Sequence, residues 1–258
     1  MRLHRFFIEE QLRNKREITI FDEEVIHQWK DVFRLRTGNQ LILLDNSGFE
    51  YIAEVVLLAK GKAELKIIDS SANTNDPKRE VWLFASLIKK DNFEWILEKG
   101  TELGVSHFVP MLSERSEKKN LNIERAEKII KEASEQSGRG IMPELHEVTD
   151  LGDLMTAEIR EKLGIEVLPM IAFDPQGEKF DLARHLEARL PSSLQRQSPS
   201  TMLGATNPPV GVLVGPEGGW TPKELELFKL HNIPIYNLGP QILRAETAAI
   251  AISSLLLL

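Results

Sequence analysis

The sequence contains no cysteine, and this absence excludes several kinds of chemistry. A chain without thiols forms no disulfide bond, no thiolate zinc site and no covalent intermediate on a cysteine. The absence is typical of proteins from a reducing compartment, so we expect a cytoplasmic location. Long apolar runs are also missing, and the N-terminus lacks the apolar stretch and the cleavage site of a secretory signal. We therefore expect no membrane partner.

Positively charged residues are outnumbered by negatively charged ones, 32 to 39, so the formal net charge is −7. Nucleic-acid-binding proteins usually present a basic face, so the total argues against that class. The charge is uneven, however, because residues 1–75 have a net charge of −1 and the remainder has one of −6. Arginines in the nearly neutral first part either bind phosphate locally or are solvated surface charges.

Motifs of the common cofactor sites are missing too. The chain has no Walker loop, no GxSxG elbow and no dinucleotide-binding glycine fingerprint. Its six histidines are scattered, and none has the spacing of a metal-ligand pair. We therefore expect no metal.

The first part of the chain has the pattern of a β domain. Short runs rich in Ile, Leu and Val alternate with turn signals, which predicts a small antiparallel barrel or sandwich. One helix is predicted near residues 23–33, and the polar stretch 70–78 is interpreted as a linker. This places the domains at 1–75 and 76–258.

From residue 80 onward, hydrophobic strands alternate with amphipathic stretches, which predicts a parallel sheet covered by helices. Asp91 and Glu94 predict a capping box at the start of the first of these helices. The segment 191–209 is rich in Ser, Pro and Thr and is interpreted as a surface loop. The apolar last segment, TAAIAISSLLLL, predicts a helix buried in the core or in a subunit interface.

The clearest local signal is a glycine-rich loop between a strand and a helix. The apolar run VGVLV is followed by GPEGG at 215–219, and Thr221, Pro222 and Glu224 then favour the start of a helix. Open α/β sheets bind ligands at the carboxyl ends of their strands, where glycine lets the backbone approach a ligand closely. The loop therefore indicates either a ligand site or a tight turn without a ligand.

A second loop repeats this arrangement. The run IPIYNLG ends in Gly239, and Arg244, Glu246 and Thr247 follow as polar residues in an apolar stretch where a helix begins. Charged residues seldom lie in such a setting unless they are paired or functional. The two loops indicate one ligand site, although an Arg–Glu ion pair at the start of the last helix explains the second loop equally well.

In combination, GPEGG and LGPQILRAETAA resemble the C-terminal signature of the 16S rRNA (uracil-1498-N3)-methyltransferases. The blocks RLHRFF, FRLRTG, EKGTELGV, SERS and EASEQSGR occur in the order of that family, so the resemblance covers nearly the whole chain. It implies a PUA-like antiparallel β-barrel for RNA, followed by a SPOUT α/β domain with a trefoil knot. It also implies S-adenosyl-L-methionine as the cofactor, 16S rRNA of the small ribosomal subunit as the substrate, and a homodimer.

The resemblance also assigns roles to residues. Cofactor binding is expected at Gly215, Pro216, Glu217, Gly218, Gly219, Leu238, Gly239, Ile242, Leu243 and Thr247. Contacts with RNA are expected at Arg2, Arg5, Arg34, Arg36, Gln136 and Arg139. The N3 proton of uracil has to leave, so Arg244 is expected to stabilise the uracil anion, and Glu217 or Glu246 to accept the proton.

Two other functions remain compatible with the residues. The first is a SPOUT methyltransferase that acts on another RNA or on a ribose 2′-hydroxyl. The second is a non-catalytic RNA-binding module, and the intact loop glycines with Arg244 and Glu246 count against it.

Overall fold

The computed structural model describes residues 3–182 and 207–258 of the chain. Arg2 and most of the 191–209 segment therefore lie outside the described residues. The chain separates into two compact units, one formed by Met1–Asp76 with Lys131–Met142 and the other by Pro77–Ile130 with Pro143–Leu258.

The first unit contains a five-stranded sheet. Its strands are β1 (Arg5–Phe7), β2 (Glu17–Ile20), β3 (Gln40–Leu44), β4 (Phe49–Ala59) and β5 (Lys62–Ala72), in the order β1-β3-β4-β5-β2. Neighbouring strands are antiparallel, as the turn-punctuated pattern predicts, except that β1 and β3 run parallel. Alternate residues of the strands, such as Leu41 and Leu43 of β3, are buried in one core together with Trp29.

The helix predicted near 23–33 is present but changes its hydrogen-bond period halfway. Helix α1 (Glu23–His27) starts at Asp22, whose carboxylate accepts hydrogen bonds from the backbone N–H groups of two residues in the first turn. The chain continues directly into a π-helical turn, Gln28–Val32. This turn buries Trp29, whose ring lies 5.4 Å from that of Phe6.

The prediction of a linker at 70–78 is wrong for its first three residues. Residues 70–72 belong to β5, where they pair with Phe49–Tyr51 of β4. Their side chains are exposed, so the segment lacks the apolar alternation of a half-buried strand.

The first unit also includes a partly buried carboxylate, that of Glu135, in its segment Lys131–Met142. Glu135 accepts a 2.9 Å hydrogen bond from the backbone N–H of Phe7. Desolvation raises the pKa of Glu135 to about 7, and the nearby charge of Glu132 acts in the same direction. The hydrogen bond from Phe7 and the charge of Lys131 lower this pKa but do not outweigh the desolvation. The folded state therefore favours the protonated form of this carboxyl group.

We expect this carboxyl group to make the protein less stable as the pH rises. The free energy of unfolding should fall between the unfolded pKa, near 4.5, and the folded pKa, near 7, because only the folded state holds the proton in that window. Glu135→Gln keeps a hydrogen-bond acceptor for Phe7 but removes the titration. Its advantage over the native protein should be small at pH 5 and reach up to about 3 kcal/mol at pH 8. Melting curves from pH 5 to 8 measure this, with exposed Glu9→Gln as the control. Parallel curves for the native protein and Glu135→Gln would contradict it.

The second unit contains a parallel sheet of seven strands within the described residues. These are β6 (Val81–Ser86), β7 (His107–Leu112), β8 (Glu144–Leu145), β9 (Thr149–Asp150), β10 (Met170–Lys179), β11 (Val210–Val214) and β12 (Ile235–Asn237). The order is β12-β10-β11-β6-β7-β8. Strand β9 also pairs with β7, at residues nearer the carboxyl end of β7 than those that pair with β8. The remaining helices are α2 (Lys90–Leu103), α3 (Ile123–Ser137), α4 (Leu151–Leu154), α5 (Ala157–Lys162), α6 (Pro222–Leu230) and α7 (Ala245–Leu257).

Both faces of this sheet are covered, which explains why its strands have continuous rather than alternating apolar runs. On one face, Leu83 and Val212 pack in a core with Ile252 of α7. On the other face, the adjacent residues Phe84 and Leu213 pack in a second core. Within the described ranges, no helix is both long and apolar enough to cross a membrane.

The predicted capping box of Asp91 and Glu94 is wrong. Helix α2 begins at Lys90, its N-cap is Lys89, and no side chain caps it. The carboxylate of Glu94 instead accepts two hydrogen bonds from the guanidinium of Arg125, at 2.5 and 2.7 Å. A tertiary partner thus replaces the local capping interaction.

Candidate active site

The loop 215–219 lies at the carboxyl end of β11, as predicted, and leads into helix α6. Its turn is closed by a 2.9 Å hydrogen bond from the Gly219 N–H to the Pro216 carbonyl. Gly219 has a φ of +65°, which glycine adopts without strain. The predicted capping box is confirmed, since Thr221 and Glu224 exchange side-chain and backbone hydrogen bonds.

Trp220 fixes this loop to the sheet. Its side chain is only 4% exposed, and its Nε1–H donates a 2.9 Å hydrogen bond to the Phe173 carbonyl at the bend of β10. The ring meets that of Phe228 edge to face at 5.0 Å. A Cβ on Gly215 would lie 3.0 Å from the Trp220 ring, so a larger residue here would push the tryptophan out of its present position.

The carboxyl ends of β6 and β7 also reach this loop. Arg115, which follows β7, donates a 2.6 Å hydrogen bond from Nη1 to the Gly218 carbonyl. The backbone N–H of Lys89, which follows β6, donates to Glu217 Oε1 at 3.4 Å. A Cβ on Gly218 would lie 3.2 Å from the Arg115 side chain. Arg115 was not among the predicted site residues, although it lies in the SERS block.

The second predicted loop follows β12 at the same edge of the sheet. Gly239 has a φ of +137°, and its N–H donates to the Asn237 side-chain carbonyl at 3.1 Å. Leu238, Gly239 and Leu243 are partly buried. Ile242 and Thr247, which were also predicted to bind the cofactor, are exposed.

The two loops are connected through a bulge in β10. Tyr236 of β12 is the register partner of both Phe173 and Glu178, so residues 174–177 bulge out of the strand. A Cβ on Gly177 would lie 2.6 Å from the Tyr236 backbone, a contact that only glycine permits. The Asn237 side-chain amide donates a 2.5 Å hydrogen bond to the Gly177 carbonyl. The bulge therefore contacts β12, and Phe173 at its start holds Trp220.

The candidate catalytic residues Arg244 and Glu246 lie at the start of α7. Arg244 is the N-cap residue, and its exposed side chain makes no capping hydrogen bond. Glu246 is 5% exposed, and its Oε2 has no hydrogen-bond partner within the part of the chain that the structure describes. No ion pair joins the two side chains in that part, so the ion-pair interpretation is not supported. The expectation that Arg244 lies in apolar surroundings is wrong as well, because its side chain is exposed to solvent.

Glu217, the third candidate, is an exposed side chain of the 215–219 loop. Its contact with Lys89 places it over the end of β6, whereas Arg244 and Glu246 follow β12. Glu217 lies in a loop, and Arg244 and Glu246 lie at the start of α7; both segments follow carboxyl ends of strands in one parallel sheet.

The predicted RNA-binding residues of the first unit differ in their surroundings. Arg5 is half-buried in an ion pair with Glu50, at 3.0 Å from Nε to Oε1. Arg34 and Arg36 are exposed and line a shallow cavity of about 440 Å³ together with Lys30. Arg34 has a φ of +54°, a strained backbone conformation for a residue with a side chain.

Gln136 and Arg139, also expected to contact RNA, lie in different local structures, because Gln136 is in α3 and Arg139 follows the end of that helix at Ser137. Gln136 is exposed, but Arg139 is 4% exposed and donates a 3.0 Å hydrogen bond from Nε to the Ile141 carbonyl. Desolvation lowers the pKa of Arg139 to about 10. Its burial favours a structural contact over a direct contact with phosphate.

The histidines are not all scattered in space as they are in sequence. The structure brings His107 and His146 together with Glu144, with one potential ligand atom of each within 4.8 Å of the others. The sequence spacing does not reveal this cluster, and the expected absence of a metal stays a prediction. Two histidines 39 positions apart give no local signal when the sheet register brings them together.

Comparison with known proteins identifies both parts of the chain. A family described as an RNA methyltransferase domain matches residues 74–257, and an RNA methyltransferase PUA domain matches residues 30–68. Ribosomal RNA small subunit methyltransferase E of Bacillus subtilis is 30% identical over 255 residues, covering 95% of this chain and 93% of that protein. The protein of the same name from Rickettsia conorii is 28% identical, covering 97% and 93%. The structure of a Legionella pneumophila methyltransferase with bound S-adenosylmethionine aligns with a TM-score of 0.80 and 25% identity, covering 99% of this chain and 97% of that one.

Proposed function

Because the chain belongs to the family of ribosomal RNA small subunit methyltransferase E, we propose that it transfers a methyl group from S-adenosylmethionine to 16S rRNA. The acceptor is N3 of one uridine, equivalent to uracil-1498, in the small ribosomal subunit. One observation carries the proposal. The glycine-containing loops after β11 and β12 lie at the same edge of the sheet and are connected through the bulge of β10.

The residues of this edge fit such a cofactor. Glu246 Oε2 is a buried acceptor without a partner among the described residues, so it is open to a bound molecule. A buried acceptor of this kind is costly unless a ligand or water satisfies it. The left-handed Gly219 and Gly239 shape turns without a Cβ, where backbone groups can approach a ligand closely. We assign binding to 215–219, to 238–243 and to Thr247.

When bound, the sulfonium group supplies an activated methyl group, so the protein has to orient the uracil and remove its N3 proton. Glu246 is better placed than Glu217 as the proton acceptor, because its Oε2 has no competing donor in the described structure, whereas Glu217 accepts from Lys89. Arg244, two residues before Glu246, provides the positive charge that stabilises the uracil anion.

Incubation of the protein with S-adenosylmethionine and small ribosomal subunits that lack the modification tests this function. Nucleoside mass spectrometry should show one 3-methyluridine per 16S rRNA. Methylation at a ribose 2′-hydroxyl, or of another RNA only, would favour the alternative SPOUT activity. Cofactor binding without methylation of any RNA would contradict the enzymatic function.

The cavity lined by Lys30, Arg34 and Arg36 is proposed as a phosphate-binding part of the RNA interface. Three exposed cations outnumber the one carboxylate that lines it, Asp31, and the strained backbone of Arg34 is typical of a functional position. This local cluster offsets the overall charge of −7.

We expect Arg34→Gln together with Arg36→Gln to weaken RNA binding at low salt. Each lost phosphate contact should reduce the slope of log K against log salt concentration by about 0.7–0.9. Fluorescence anisotropy with a 16S rRNA fragment between 50 and 200 mM salt, roughly the range in which such contacts dominate, measures the slope. The pair Arg13→Gln and Arg16→Gln removes the same charge from exposed positions outside the cavity and serves as the control. Equal slopes for the two double variants would contradict the assignment.

A homodimer is proposed from the surface of the second unit. Leu255 and Leu258 at the end of α7 are exposed, although most of that helix is apolar and packed in the core. Exposed apolar side chains of this kind are typical of an association surface. Sedimentation equilibrium at micromolar concentration should give twice the monomer mass of 29.3 kDa.

The closure of the first sheet into a barrel and the trefoil knot of the second unit are also proposed from the family. The contact of Gly177 with the Tyr236 backbone supports close threading of segments at this edge. A substrate in the ribosome implies that the protein acts in the cytoplasm.

A further inference from the structure

A cluster of imidazole and carboxylate groups lies at the amino edge of the second unit's sheet. His107 is the first residue of β7 and Glu144 the first residue of β8, and the two are register partners in adjacent parallel strands. His146 follows two positions after Glu144, so both side chains lie on the same side of the chain. The loops of the candidate active site lie at the other end of these strands.

The three side chains form a triangle with the dimensions of a metal site. His107 Nδ1 lies 3.1 Å from His146 Nε2 and 3.4 Å from Glu144 Oε2, and the third edge, from His146 Nε2 to Glu144 Oε2, is 3.8 Å. Zinc bonds of about 2.0–2.1 Å at tetrahedral angles put ligand atoms roughly 3.3–3.4 Å apart. The three edges bracket that value, so a single ion can contact all three atoms after small side-chain movements.

Surrounding groups hold the first histidine in place. The ring of Trp82 stacks on His107 at 3.7 Å with an interplanar angle of 10°. The other ring nitrogen of His107, Nε2, faces Glu80 Oε1 at 3.5 Å, and that oxygen accepts a 2.6 Å hydrogen bond from Trp82 Nε1. Metal-binding histidines typically direct their second nitrogen to a carboxylate in this way, because it fixes the tautomer and the ring orientation.

The site is open on one side. The side chains of His107 and His146 are mostly buried, whereas that of Glu144 is 64% exposed. Ions therefore have access from solvent, and water can occupy a fourth ligand position. We propose that His107, Glu144 and His146 bind a divalent transition-metal ion, with Zn²⁺ the best match to two imidazoles, one carboxylate and a tetrahedral arrangement.

The proposed ion stabilises the pairing of β7 with β8. Strand β8 has only two residues, and its pairing with β7 at the edge of the sheet is short. A metal bound by both strands cross-links them at their first residues. The ligands lie at the end of the strands opposite to the 215–219 loop, so this site is separate from the methyl-transfer chemistry.

The untagged, chelator-treated full chain tests the proposal. Calorimetry with Zn²⁺ should show one ion per chain with micromolar or tighter affinity, and saturation should raise the Tm by roughly 5–10 °C. Co²⁺ as a second probe should give the intense visible absorption of a four-coordinate ion. His146→Gln should remove binding, and Glu80→Gln, which alters only the outer carboxylate, should weaken it by about 10–100-fold.

His27→Gln provides a matched control. His27 Nδ1 lies 2.6 Å from Asp31 Oδ2 on an exposed helix face, and among the described residues this histidine–carboxylate pair has no third ligand. Its removal should leave Zn²⁺ affinity and Co²⁺ absorption unchanged. Zn²⁺ binding weaker than millimolar in the native protein, or equal binding in the native protein, His146→Gln and exposed Glu144→Gln, would overturn the proposal. The cluster would then be a hydrogen-bonded pair of histidines only. Because the first measurement uses the native chain, misfolding of a variant does not prevent the test.

Discussion

Arg244→Ala is expected to lower the single-turnover rate of methyl transfer by roughly 10²–10³-fold while leaving the affinity for S-adenosylmethionine nearly unchanged. Arg244 caps α7 with its backbone only, so its guanidinium is free to interact with a ligand. A cation that meets the uracil anion, and not the neutral base, acts mainly in the transition state. The exposed side chain makes no hydrogen bond or ion pair in the described part of the chain, so the Tm should stay within the experimental error.

Two further variants separate charge from position at this site. Arg244→Lys keeps a positive charge but loses the planar array of donors, so its rate should lie between those of the native enzyme and Arg244→Ala. Lys223→Ala removes an exposed cation from the first turn of α6 and should leave the rate unchanged. Rates at saturating RNA and cofactor are to be compared. A folded, cofactor-binding Arg244→Ala enzyme with near-native transfer would eliminate the catalytic role.

Trp220→Ala should destabilise the protein by about 3–5 kcal/mol, the usual cost of removing a large buried aromatic side chain. The ring fills the space beside Gly215, packs on Phe228 and donates to the Phe173 carbonyl. All of these contacts disappear together and leave a cavity under the 215–219 loop. Because the loop loses its connection to β10, cofactor affinity should fall sharply even at temperatures where the variant is folded.

Trp95→Ala is the matched control, since this tryptophan lies in the same unit and is 59% exposed. Its loss should change the free energy of unfolding by less than about 1 kcal/mol and should not alter cofactor binding. Differential scanning calorimetry with and without S-adenosylmethionine measures both effects. A Trp220→Ala protein that melts with the Trp95→Ala protein and binds the cofactor normally would show that Trp220 does not hold the loop.

Local signals explain what could be predicted from the sequence. The start of α6 was predicted correctly because Thr221 and Glu224 exchange hydrogen bonds within a single turn and Pro222 suits the first helical position. The start of α2 was wrong because Glu94 has the same local pattern, but Arg125, 31 positions away, forms the stronger interaction. Capping motifs are thus predictive only where no distant charge competes for the carboxylate.

Site geometry was less predictable, since it depends on which strands are neighbours. The residue types of both active-site loops were recognisable, but the bulge at Gly177 that connects them depends on the pairing of β10 with β12. The exposure of Arg244 and the burial of Glu246 also have no sequence signal, because both residues flank the same helix start. The histidine cluster required the register of β7 with β8.

The strand order of the second sheet has a consequence for folding kinetics. Its central neighbours, β6 and β11, pair Val81 with Val210, so their contact closes a chain segment of roughly 130 residues, whereas β4 and β5 of the first sheet are joined by a tight turn. Closing so long a segment costs entropy before any pairing compensates for it, and sheets dominated by distant pairings fold slowly. The hairpin of the first unit should therefore form early in refolding, and the methyltransferase sheet late. During that interval the apolar strand β6 lacks its partner β11 and is the segment most exposed to aggregation.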